Sequence, residues 1–290
     1  MQSTSAPMSR RTFLKKSLHL TLGLMGTAGL SGVYSHLVEP YWIEVKQVKV
    51  AIPKLPASFN SFRIVHISDL HLGFHSKPEL LTELAEQVRQ AKPDLICFTG
   101  DLLDQSTAYM PEAIAFLSKL SKLQAPFGQY AVLGNHDAFG NRRAVTKGLS
   151  KAGFHVLDNQ HVALSKGSAH LYIAGVDDPM VGHPNIDQAL QGIPDGSSTI
   201  LLAHEPDFAD EYARYPVDLQ LSGHSHGGQV RIPLVGALYT PPYGSKYTAG
   251  LYQVPNSKLQ VYTTRGIGMT RIPVRFHCRP ELTVLTLKAQ

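Results

Sequence analysis

Four short stretches of this chain carry side chains of the kinds that hold divalent metals, and each follows an apolar run. They are Asp69-Leu70-His71, Gly100-Asp101, Gly134-Asn135-His136-Asp137 and Gly223-His224-Ser225-His226, with His204 between the last two. No cysteine is among them. A set of Asp, Asn and His suits a pair of hard-to-borderline divalent cations rather than a structural zinc. Two such cations a few ångströms apart are suited to in-line displacement at phosphorus. The residue types therefore point to phosphoester hydrolysis before any fold is argued.

Something must bring stretches so far apart in sequence to one place. Phe62–Ile67, Asp94–Phe98 and Gln129–Leu133 read as strands that run into the first three stretches. Between them lie helical patterns starting near Ser76 and Pro78, through Ile114, Leu117 and Leu120, and over Asn141–Ala152. This β-α alternation predicts a largely parallel sheet covered by helices. In such sheets ligands bind outside the carboxyl ends of the strands, where the stretches lie. Ile43–Val50 reads as an edge strand, and the second half holds further strands, with His204 and Gly223–His226 each following one. The reading is an α/β body of one domain, residues 40–290, behind a leader of residues 1–39. Glycine before Asp101, Asn135 and His224 is expected to permit a sharp turn. Asp69 and His71 are expected to alternate about Leu70 as on a strand, and His224 and His226 about Ser225.

Any one stretch is weak: an isolated His204 is more often a core or surface histidine. The joint order is specific, and it resembles the calcineurin-like metallophosphoesterase superfamily over most of the chain. Within it the chain is similar to the YaeI/YkuE type of bacterial phosphodiesterase. The shared features are a twin-arginine start, the form Gly223-His-Ser-His-Gly-Gly-Gln229, and the ending Thr264-Arg-Gly-Ile-Gly268 … Arg279-Pro-Glu281. The resemblance implies a four-layer fold, two mixed β-sheets sandwiched by helices. It implies two divalent metal ions, with manganese, iron or zinc all compatible with the residues. Asp69, His71 and His226 would hold the first; Asn135, His204 and His224 the second; Asp101 would bridge them. A hydroxide bridging the metals is the expected nucleophile. His136 is the expected catalytic residue, as general acid or as a hydrogen-bond donor to phosphoryl oxygen. Asp137 is expected to orient His136 or a neighbouring loop, or else to be a turn residue. Arg265 is read either as a substrate contact or as the partner of a carboxylate. His66, His75, His170, His183 and His277 lack this context and are read as structural or surface residues.

The leader carries its own signal. Arg10-Arg11-Thr-Phe13-Leu14-Lys15-Lys16 precedes an apolar stretch from Leu18 to about Val38, which resembles a twin-arginine export signal. Export machinery is thus an expected partner, and the expected location is the periplasm or the outer face of the cytoplasmic membrane. If retained, the stretch is about long enough for a membrane anchor, though glycines, Ser31 and His36 weaken it. Residues 1–38 hold four of the 27 basic residues and none of the 22 acidic ones, so the net charge of +5 falls to near neutrality in the body. No basic stripe remains to track nucleic acid. Cys97 reads as a buried thiol, and a Cys97–Cys278 disulfide stays open.

The expected substrate is a phosphodiester. Alternatives are the pyrophosphate bond of a nucleotide-linked lipid such as UDP-2,3-diacylglucosamine, a phosphomonoester, or no substrate at all in a metal-binding scaffold. Residues 176–197, with Asp177, Asp178, Met180, His183 and Pro184, are a candidate rim loop.

Overall fold

The computed structural model describes residues 9–123 and 125–290; the first eight residues of the expected 1–39 leader lie outside them. In chain order the elements are α1 (Arg10–Leu37), β1 (Glu44–Ile52), β2 (Arg63–Ile67), α2 (Pro78–Ala91), β3 (Leu95–Thr99), α3 (Met110–Ser121), β4 (Gln129–Val132), α4 (Asn135–Lys151) and β5 (His155–Val156). There follow β6 (Gln160–Lys166), β7 (Ala169–Gly175), α5 (Ile186–Leu190), β8 (Ser198–Leu202), α6 (Ala209–Tyr212) and β9 (Leu219–Ser222). The chain ends with β10 (Arg231–Ile232), β11 (Gly236–Ala237), β12 (Gly250–Gln253), β13 (Gln260–Thr263) and β14 (Glu281–Ala289).

Two six-stranded sheets form the centre, in the orders β1-β14-β2-β3-β4-β5 and β12-β13-β9-β8-β7-β6. Both are mixed: β14 runs antiparallel to β2, and β12 antiparallel to β13. The sheets face each other, and the sequence pattern shows why. Along β2 and β3 successive residues alternate between two cores: Ile64, Leu95 and Cys97 pack between the sheets, while Val65, Ile96 and Phe98 pack under the helices. Strands buried on both faces read as continuous apolar runs. Helix α2 begins with Pro78, covers the sheet with Leu81, Leu84 and Val88, and ends on a left-handed Lys92. The second sheet packs its other face against α5, α6 and the segment around Tyr247. The layers are thus α/β/β/α, the arrangement the resemblance implied. The edge strand is longer than expected from sequence, and it pairs in parallel with β14 from the far end of the chain.

Helix α1 leaves the body. Only its last turns touch it, through His36 Nδ1 to the Pro273 carbonyl at 2.7 Å and Arg275 N to the Ser35 carbonyl at 2.9 Å. Among the described residues, no helix is long and apolar enough to cross a membrane, α1 included. Both cysteines are free and buried, which closes the disulfide question in this structure.

Candidate metal centre

Strands β2, β3 and β4 run parallel in register, so the residues following Ile67, Thr99 and Val132 emerge at one edge. Strands β8 and β9 do the same in the second sheet, at Leu202 and Leu221. At this edge the sheets are tied together: His204 Nδ1 donates to the Thr99 carbonyl at 2.5 Å, and the His224 N–H donates to Asp69 Oδ1 at 3.0 Å. Asp69, His71, Asp101, Asn135, His204, His224 and His226 all converge here, and all are buried.

Two groups result. In one, the ligand atoms of Asp69, His71 and His226 lie within 4.8 Å of one another; in the other, those of Asp101, His204 and His224 do. Asp101 Oδ2 is 3.3 Å from His71 Nε2 and 3.1 Å from His204 Nε2, so this one oxygen faces both groups. Asn135 Oδ1 is 3.1 Å from His224 Nδ1.

The outward nitrogens decide what fits inside. His71 Nδ1 donates to Asp104 Oδ1 at 3.1 Å, His204 Nδ1 to the Thr99 carbonyl, and His224 Nε2 to the Pro242 carbonyl at 2.8 Å. Each of these bonds fixes a tautomer and turns the other nitrogen's lone pair inward. The inward atoms are then lone pairs and carboxylates facing one another, as at the 3.0 Å approach of His71 Nε2 to His226 Nε2. Such a centre calls for positive charge. Burial opposes charging His71, yet its hydrogen bonds to Asp101 and Asp104 carry its pKa up to about 9. Burial also favours the neutral carboxyl of Asp101, but His204 and His71 hold it well below the usual carboxylate range. An all-acceptor, buried nitrogen and oxygen set of this kind fits two divalent cations.

The local backbone differs from the expected alternation. Asp69, His71, Asp101, His224 and His226 have φ of 54°, 44°, 58°, 66° and 51°, in the left-handed region that side chains other than glycine rarely adopt. The ligand-bearing residues themselves carry the turn, and no strand geometry aims them. Backbone strain of this kind, held by surrounding structure, clusters at functional sites. Gly100 does take a left-handed φ of 97°, as expected. Gly223 serves a different need: a Cβ there would run into the Asp69 carboxylate and the Ser68 side chain.

Asn135 and His136 stand in the first turn of α4, ahead of the helix start expected at Asn141. The polar run is helical because Gly134 caps it and the Asp137 side chain accepts the Gly134 N–H at 3.1 Å. The break falls at Asn141 itself. Asp137 also accepts the N–H groups of Asp101 at 2.8 Å, Leu102 at 2.9 Å and Leu103 at 3.3 Å. Of the two readings, it is the loop holder: it pins the turn that presents Asp101. His136 donates from its backbone to Asp101 Oδ1 at 2.9 Å and from Nδ1 to the Asp104 carbonyl at 2.7 Å. It lines the adjoining cavity, with Nδ1 already engaged.

Sequence reasoning missed Asp104, which contacts both His71 and His136. Its signal was available: it follows Asp101 by three residues, at the end of the same turn. Arg265 is not a substrate contact. It pairs with Glu281 at 2.7 Å and Glu44 at 2.8 Å, locking β14 and β1 behind the site. Arg275, wholly buried, donates to the carbonyls of Cys278, Arg265 and Gly268 and so holds the 264–268 segment against the Asp69 loop. In the rim loop, Met180 reaches the cavity, while Asp177 and Asp178 accept the loop's own N–H groups. His66 lies between the sheets, bonded to Thr99 Oγ1 at 2.8 Å.

Comparison with known proteins agrees with this geometry. Residues 62–228 match the family model for the calcineurin-like phosphoesterase. The chain is 43% identical over 285 residues to the uncharacterized metallophosphoesterase YkuE of Bacillus subtilis, covering 97% of this chain and 98% of that protein. It is 33% identical over 285 residues to the phosphodiesterase YaeI of Escherichia coli, covering 97% and 99% respectively. With its two sheets meeting at a buried Asp-His-Asn edge, this chain belongs to the calcineurin-like phosphoesterase family and is a phosphoric ester hydrolase.

Proposed function

We propose that the protein is a phosphodiesterase dependent on two divalent cations and exported by the twin-arginine route. The observation that carries the catalytic reading is the shared Asp101 oxygen between two groups of inward-facing acceptors. Asp69, His71 and His226 would hold one cation and Asn135, His204 and His224 the other, with Asp101 common to both. Manganese, iron and zinc all suit these ligands. The cations, when bound, supply activation of water at neutral pH and neutralisation of charge on the phosphoryl oxygens. His136 does the remaining proton work: Asp104 fixes its Nδ1, and Nε2 gives the proton to the leaving oxygen. The first turn of α4 directs its N-terminal dipole at the same place, which favours an anionic substrate.

The test is hydrolysis of bis(p-nitrophenyl) phosphate beside p-nitrophenyl phosphate by the manganese-loaded chain, with Asp101→Ala as control. Diester cleavage that disappears in the control supports the reading. Cleavage of the monoester alone overturns it in favour of a phosphomonoesterase. Bound metals with no turnover on either shift the reading to a narrow lipid-linked substrate or to the scaffold.

Export rests on Arg10-Arg11 at the start of α1, ahead of its apolar stretch, with all but the last turns of the helix clear of the body. It would deliver the body outside the cytoplasm, at the periplasmic side or the outer face of the membrane. An Arg10→Lys, Arg11→Lys chain should stay in the cytoplasm. Its continued export, followed by fractionation, would end this part of the proposal.

A further inference from the structure

A cavity of about 510 Å³ opens from the metal centre. One end is walled by Asp101, Asn135, His136, His224 and His226. The rest is a lobe walled mainly by Met180, Val230, Leu238, Pro241, Pro242 and Ile272. These residues come from the rim loop, the β10-β11 hairpin and the segment after β13, which meet only in the folded chain.

The polar side chains deep in the lobe are already used. Gln229 donates from Nε2 to the Thr270 and Ile272 carbonyls at 3.0 and 3.2 Å and accepts the Thr270 N–H at 2.8 Å. Ser225 Oγ donates to the Thr248 carbonyl at 2.6 Å and accepts from Gly227. Tyr239 accepts from Arg271, whose guanidinium lies 5.1 Å from the Tyr239 ring, and the Thr270 hydroxyl turns away to Asp104. A nucleobase or sugar deep in the lobe would give up its bonds to water and find in exchange only the groups at the exposed rim, the Tyr239 hydroxyl and the rest of the Arg271 guanidinium. An aliphatic group would lose nothing. The outer wall continues as apolar surface: Leu238 and Ile272 are half exposed, and Leu234 and Val235 stand free at the hairpin tip. Contiguous apolar surface at the mouth of a site marks a place where apolar ligand or surface is met.

We propose that this lobe is the subsite for an aliphatic ester group, so that the substrate is an amphiphilic phosphodiester with its phosphoryl group at the Asp101 centre and its chain along Leu238 and Ile272. The inference rests on the phosphodiesterase reading and names the class of diester within it.

The test is calorimetric titration of the full chain, loaded with manganese, with monomethyl esters of alkylphosphonic acids from methyl to octyl. Hydrolysis cannot break the P–C bond and methoxide is a poor leaving group, so the alkyl chain stays on phosphorus through the titration. Asp101→Ala, titrated beside the full chain, reports any heat that comes from cleavage of the methyl ester. Affinity should rise about two- to fourfold per methylene until the lobe is filled. The rise should vanish in Leu238→Asp and in Ile272→Asp, both at exposed positions where folding is not at stake. Equal affinity along the series, with the methyl member bound, overturns the aliphatic subsite and leaves the phosphodiesterase reading in place. A rise that survives in both variants puts the chain elsewhere, on α1 for example, and overturns it too. Failure of even the methyl member to bind overturns both readings.

Discussion

The Asp104 carboxylate accepts a hydrogen bond from His71 Nδ1 at 3.1 Å, three residues past the oxygen that faces both halves of the metal centre. It thereby sets the ring so that Nε2 points inward. A carboxylate behind a metal-binding histidine fixes orientation and raises basicity, and its loss typically costs about 10–100-fold in metal affinity. Asp104→Ala should therefore lower affinity for one cation of the two by about that factor, read by titration against a chelator. Two unchanged affinities would show that packing alone orients His71.

His136 and Asp101 touch each other yet should fail differently. His136→Ala should keep both cations and lose about 10²–10⁴-fold in turnover if, as proposed, the side chain serves proton transfer and not metal binding. Asp101→Ala should lose metal, because its carboxylate serves both groups. Metal analysis of the two purified variants separates these outcomes. Equal metal loss in both would refute the division of roles.

Asp137 carries a structural prediction. Its carboxylate is the acceptor for four backbone N–H groups around the Asp101 turn. Leaving buried donors unpaired costs about 1–3 kcal/mol each, so Asp137→Ala should lose at least about 3 kcal/mol of stability in denaturant unfolding of the metal-free chain. A change under about 0.5 kcal/mol, the size common at surface positions, would reduce it to a turn residue.

His66 gives a pH dependence away from the metal centre. Burial between the sheets takes its pKa from 6.5 down to about 3. Between these values the folded chain keeps the ring neutral while the unfolded chain protonates it. The unfolded state then binds more protons, so stability falls as pH drops below 6.5, by up to about 1.4 kcal/mol per pH unit. Above 6.5 this group contributes no slope. Thermal unfolding of the metal-free chain at several pH values should be less acid-sensitive in His66→Gln. An identical slope in the variant would assign the acid sensitivity to other groups.

The chemistry was legible in the sequence because metal-binding side chains are few in kind and each here follows an apolar run. A parallel, in-register sheet then brings such ends together without further instruction. That much places Asp69, Asp101 and Asn135 side by side from pattern alone. Buried strands were also legible, since Ile64 to Ile67 and Leu95 to Phe98 alternate between two cores and so are apolar but for His66, whose ring bonds Thr99 between the sheets. Short pieces were not. Strand β11, α5 and α6 have too few residues for any period to declare itself.

Other features exist only in the folded chain. The left-handed backbone at five site residues has only a weak signature in residue type: Asp and His enter that region more readily than most side chains, yet too rarely for the sequence to say where. Asp104 acquires a role only when His71, 33 positions earlier, arrives against it. The apolar lobe is assembled from residues near positions 180, 230–242 and 272, and no one of these segments holds a cavity. Sequence alone determined which atoms are able to hold metal and on which strand ends they sit. Tertiary structure decided which nitrogen of each ring faces inward and what shape surrounds the phosphorus, because hydrogen-bond direction and enclosed volume are properties of contacts between segments.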